Sequence, residues 1–199
     1  MELGNFQKPV ESDEIKKTAS DITGESVEAV SCICEQWGEA EDEVREYDVY
    51  VIETDAGKYT LKKTGSKEAQ IYAQYLSKGE FHVPQYVGMR QAEDADWICM
   101  KYVEGNDMRD MTDETTEKAA ETLSKIQSYF WTPSMDKAPE NEVEQRFVEY
   151  WKRVLRRASS IADDPILRKA YQMFLDRQLT CPCTMSNGDF LQWNVIYDG

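Results

Sequence analysis

Two residues near the end of the 199-residue chain, Asp189 and Asn194, have side chains and a separation that can do chemistry. A carboxylate can accept or orient a hydroxyl proton, and an amide oxygen can hold a hard cation such as Mg²⁺. The D-x-x-x-x-N spacing serves both roles in phosphoryl transfer. Spacing alone is not specific: with 16 Asp and 5 Asn in the chain, chance supplies roughly 0.4 such pairs. Asp136 and Asn141 form a second one, but their segment contains Pro139 and leads into no apolar run, so it reads as a solvated loop. Asp189 has a different setting. Residues 179–185 read as a strand or turn, Gly188 lets the backbone bend sharply, and Phe190 and Trp193 can anchor the loop in a core. Val195-Ile196-Tyr197 then continues as an apolar stretch.

In this setting Asn187-Gly-Asp-Phe-Leu-Gln-Trp-Asn194 resembles the His-Gly-Asp-Phe-x-x-Trp-Asn catalytic loop of the aminoglycoside phosphotransferase and choline kinase-like family. Gly188, Asp189, Phe190, Trp193 and Asn194 match; Asn187 stands where His is usual and Gln192 where Pro is common. The resemblance implies Asp189 as catalytic base, Asn194 as a metal ligand, and ATP or another nucleoside triphosphate with Mg²⁺ as cofactors. The acceptor is then a hydroxyl of a small molecule. Such kinases also use a second metal-binding Asp beyond the Asn, followed by further helices. The chain stops at Asp198-Gly199, so a fragment with little or no activity is the expectation. The alternative is a kinase-like nucleotide-binding or regulatory module without catalysis.

The elements that must position these residues can be read from periodicity. Ser12 is placed to cap a short helix that Gly24 ends. Strand patterns follow at 30–34, 47–52 and 58–62, and Asp55-Ala-Gly57 between the last two is a hairpin signal. The spacing predicts a helix over 66–76, with Ala69, Tyr72, Ala73 and Leu76 on one face and Gly79 as its stop. Strands are expected at 85–90 and 96–103. Beyond Gly105 the strand signals largely vanish, and helices are expected at 113–130, 142–161 and 165–178. The last has Pro165 in its first turn and the stripe Ile166, Leu167, Ala170, Tyr171, Phe174, Leu175.

The fold class expected is therefore α+β, in the two-lobe order of protein kinases. Residues 1–103 form an antiparallel-sheet N-lobe with one packed helix (66–78). Residues 104–199 form a partial, mainly helical C-lobe that ends in the catalytic loop.

Five further site residues follow from the same resemblance. Tyr59-Thr-Leu-Lys62 resembles the V-A-I-K strand whose lysine meets the α- and β-phosphates, and strand alternation sends Thr60 and Lys62 to one face, Tyr59 and Leu61 to the other. Glu68, early in the next helix, is where the family has the Glu that orients that lysine. Trp97 to Gly105 resembles the adenine-cradling strand and hinge: Met100 lines the back, and Lys101 and Val103 offer backbone groups. The turn that would cover the phosphates, Gly38-Glu-Ala-Glu-Asp-Glu-Val44, has one Gly and four acids and is not a Gly-rich loop.

Composition sets the remaining bounds. A net charge of −15 argues against nucleic acid as a partner and favours a cationic acceptor over an anionic one. No apolar run approaches the ~20 residues that cross a bilayer. Five Cys, an odd number, and the absence of a leader pattern suit a reducing cytoplasm. In Cys32-x-Cys34 the two side chains share a strand face and read as small buried hydrophobes. His82 is the only His, so a Ser-His-Asp hydrolase would need it beside a G-x-S-x-G elbow, which is missing.

Overall fold

The structure, a computed structural model, describes residues 4–36, 43–78, 81–92, 95–131, 153, 156, 165–177, 184 and 194–197. It is α+β and divides into two compact units, residues 1–110 with 192–199, and residues 111–191. The first unit is built on a six-stranded antiparallel sheet in the order β1-β2-β3-β4-β6-β5. Its strands are β1 (Gly4–Pro9), β2 (Val27–Gln36), β3 (Val44–Thr54), β4 (Gly57–Thr64), β5 (Tyr86–Gln91) and β6 (Asp96–Lys101).

Cross-strand pairing fixes which residues share a face. Val30 lies opposite Ile52, Ile52 opposite Tyr59, and Leu61 opposite Cys99. These side chains are buried, and helix α1 (Asp13–Thr23) covers them with Ile15 and Ala19. The helix is set at both ends. The Ser12 side chain accepts from the Ile15 N–H, and Gly24 closes it in the left-handed conformation that costs glycine least. Arg90 of β5 donates to the Thr18 hydroxyl at 3.0 Å. A side chain at Gly88 would come within 2.8 Å of Ile22, so the missing Cβ lets α1 lie close on the sheet. Cys32 and Cys34 are buried, the Cys32 thiol donating to the Tyr47 carbonyl.

The opposite face carries Thr60, Lys62, Ile98 and Met100, because Thr60 pairs with Met100 and Lys62 with Ile98. Helix α2 (Ser66–Gln74) follows β4 directly and buries Ala69 completely. It stops two residues short of the expected end, and a 3₁₀ turn, Leu76–Lys78, completes that segment. The β3–β4 hairpin forms at the expected Asp55–Gly57 signal; its turn is the two residues Asp55 and Ala56, closed by the Thr54 hydroxyl on the Gly57 carbonyl at 2.9 Å.

Two pieces of sheet, three strands in all, escape the sequence pattern. The edge strand β1 presents five exposed side chains, Phe6 among them, and pairs with β2 from Gly4↔Gln36 to Pro9↔Ser31. Backbone hydrogen bonds hold it, so it needs no apolar alternation. The other is a two-strand ladder, where β7 (Asn106–Asp107) pairs with β8 (Ile196–Tyr197). A 3₁₀ turn, Met108–Asp110, follows β7.

In the second unit α3 (Asp113–Tyr129) starts with a capping box between Thr112 and Thr115, and α4 is Pro165–Arg177. Of the expected α4 stripe, Ile166 and Ala170 are exposed, so those two positions are not core. Of the helix expected over 142–161, only Arg153 and Arg156 are described, both helical. Among the described residues no helix is long and apolar enough to cross a membrane.

Gly105 is where the ladder is most sensitive. A Cβ there would stand 2.4 Å from the Tyr197 carbonyl oxygen, a backbone atom that cannot swing aside. Gly105→Ala is expected to cost about 2 kcal/mol or more and to detach β8. Hydrogen exchange should then speed up at 196–197 while the six-stranded sheet keeps its protection.

Candidate functional site

β4 ends in Lys62-Lys63-Thr64, and Gly65 turns the chain into α2 so that Glu68 falls in the first helical turn. The turn is held by the Glu68 N–H on the Gly65 carbonyl at 3.1 Å. Glu68 therefore hangs back over the strand that precedes it. Lys62 Nζ lies 2.6 Å from Glu68 Oε1, a charge-assisted hydrogen bond as well as an ion pair. The Thr64 hydroxyl donates to Oε2 of the same carboxylate. The expected lysine–glutamate pair is formed, on the sheet face that also bears Thr60 and Met100.

Electrostatics agree with this geometry. Burial works to raise the Glu68 carboxyl, but the Lys62 and Thr64 hydrogen bonds and the Lys62 charge outweigh it and hold the group below the usual range. One turn along α2, Tyr72 is pushed up by burial and by the Glu68 charge. The pair is not sealed from solvent: the Lys62 side chain is 35% exposed and that of Glu68 44%. A lysine ammonium has three donors, and Glu68 takes one. Donors thus remain for an anion that reaches the exposed side of the amine, and in this respect the residues fit a nucleotide phosphate.

The remaining expected residues divide. Met100 is buried within β6, in register with Thr60 of β4 and Tyr86 of β5. Lys101 points its side chain to the other face, where Nζ lies 2.9 Å from the Tyr59 hydroxyl and 4.1 Å from its ring centroid. Its backbone N–H donates to the Gln85 carbonyl at 2.8 Å and is committed within the fold, which leaves only its carbonyl for an adenine contact. Val103 lies just past β6, half-buried and outside any regular element. Asn194 is exposed and lies two residues before β8. Asp189 and the centre of the acidic turn, 37–42, lie outside the described residues. Among the described residues no three His, Cys, Asp or Glu side chains group as a metal site.

A second polar cluster was not anticipated from the sequence. Arg109, past β7, lies 3.2 Å from Asp107 and 3.4 Å from Glu35 of β2, and the Tyr47 hydroxyl of β3 donates to Glu35. That hydrogen bond, first, and then burial and the Glu35 charge raise the Tyr47 phenol. Nothing local in the sequence couples positions 35, 47 and 109, because the β2–β3 pairing and the position of β7 bring them together. The chain matches no protein-family model, no curated protein and no solved structure.

Because the folded-state Glu68 carboxyl is depressed, its contribution to stability is complete above its unfolded value, about 4.3. It fades as pH falls through the lower folded value. Both side chains are more than a third exposed, so the contribution is at most about 1 kcal/mol. Urea unfolding of the wild type and Glu68→Gln should differ by that amount at pH 7, and the two curves should converge as pH falls through the lowered folded value.

Proposed function

We propose that the protein binds a nucleoside triphosphate with Mg²⁺ and that its chemistry is transfer of the γ-phosphate to a hydroxyl of a small molecule. The observation that carries this reading is the 2.6 Å Lys62–Glu68 pair, made between a strand and the helix after it, on the face shared with Thr60 and Met100. It supports a kinase-like arrangement of the sheet unit, which the chain order of lysine strand, glutamate helix and hinge-like strand also favours.

The roles divide as follows. Lys62 holds the phosphates through the donors that Glu68 leaves over, and Glu68 keeps the amine charged and aimed. Met100 closes the apolar end of the base-binding surface. Val103 offers its backbone to the base, and Lys101 its carbonyl only. Asn194 holds a cation by its amide oxygen, and Asp189 takes the proton of the acceptor hydroxyl as it attacks. The bound triphosphate supplies the transferable group. The net charge of −15 supports a cationic acceptor, since the long-range field draws cations in.

The test is calorimetric titration with ATP, with and without Mg²⁺. Mg²⁺-dependent binding is expected, and Lys62→Met should weaken it about tenfold or more, the loss of one charge-assisted contact. Asp189→Ala should leave binding within about twofold and abolish phosphate transfer to a panel of hydroxylated amines. Absence of any Mg²⁺-dependent nucleotide binding would sink the reading. Binding with no Asp189-dependent transfer would leave a nucleotide-responsive module instead.

A further inference from the structure

We propose that Thr64 is a positioning residue for the Lys62–Glu68 pair: its hydroxyl fixes one oxygen of Glu68, so that the other is presented to Lys62. The idea deepens the nucleotide-binding reading and rests on it. Two flexible side chains form the pair. Glutamate rotates almost freely about its last torsion, and lysine is a mobile point charge on a four-carbon stem. With 35% and 44% of the side chains exposed, such a pair in isolation spends much of its time apart.

Thr64 supplies the stiffness that the pair lacks. It is β-branched, with little freedom about its first torsion, and it sits in β4 in register with Asp96 of β6. Alternation puts it on the same face as Lys62, two residues along the strand. The two donors on one strand grip the two oxygens of one carboxylate, Lys62 on Oε1 and Thr64 on Oε2. Glu68 cannot then turn both oxygens to the lysine, and the outer donors of the amine stay directed away from the helix. The hydroxyl is committed to this task. Asp96, its cross-strand partner, has a buried Oδ2 with no hydrogen-bond partner among the described residues.

The experiment compares the full chain with Thr64→Val, which keeps the shape and loses the hydroxyl, and Thr64→Ser, which keeps the hydroxyl. Thr64→Ala, also lacking the donor, serves should the Val variant not fold. Two quantities are read: the dissociation constant of Mg·ATP, and the titration of the Glu68 side-chain carboxyl followed by ¹³C NMR, with Glu68→Gln as its assignment. Loss of the hydroxyl is expected to weaken Mg·ATP about fivefold and to move the Glu68 titration to higher pH. The Ser variant should stay within about twofold of wild type, its Glu68 titration unmoved. An unchanged Glu68 titration in the Val or Ala variant overturns the proposal, as does a Ser variant that behaves like them. If wild type binds no Mg·ATP, the nucleotide reading fails by itself, and the carboxyl titration still decides the role of Thr64.

Discussion

Leu61 and Lys62 are neighbours in the chain and face opposite sides of the sheet, and the first unit depends on that alternation. Leu61 is fully buried with Tyr59 beneath α1, where any slip of β4 by one residue would drive Lys62 into an apolar core. The register is therefore strongly specified. A buried side chain on one face holds the strand, and the strand then holds a charged side chain on the other. Lys62 is placed by the packing of residues it never touches.

The same logic explains how the acidic chain keeps its cations in use. Lys8 pairs with Glu46, Lys58 with Glu53, Lys62 with Glu68, and Arg109 with Glu35 and Asp107. Exposed pairs of this kind stabilise little. The Lys62 carboxylate partner is gripped a second time, by Thr64, as Glu35 is by Tyr47.

Much of this was legible in the sequence, and for identifiable reasons. Strands β2 to β6, α1 and α2 announce themselves by period and by local stop signals. The Asp55-Ala56 turn needs only its own residues and Gly57, and Lys62 and Glu68 are close enough in sequence for a strand-to-helix turn to join them. What escaped depends on distant partners. Strand β1 has no buried face to leave a pattern, and β7 and β8 are two residues long, each meaningless without the other. The use of the Lys101 N–H is a backbone matter that no side chain records. Arg109, Glu35 and Tyr47 meet only because β2 and β3 have paired and the turn after β7 lies beside them. The roles of Asp189 and Asn194 rest on their motif, and the neighbourhood of Asp189 falls outside the described residues.

The ladder between β7 and β8 has a consequence for biosynthesis. All six strands of the main sheet are present once Lys101 has emerged from the ribosome, and they can pair from then on. Asn106 and Asp107 wait for a partner until Tyr197 emerges. Holding so long an intervening stretch closed costs little more than closing a short one, since each doubling of loop length adds only about 0.6 kcal/mol. Time is what the arrangement consumes: from the completion of β6 until Tyr197 has been made, the nascent sheet exists without its two-residue clasp.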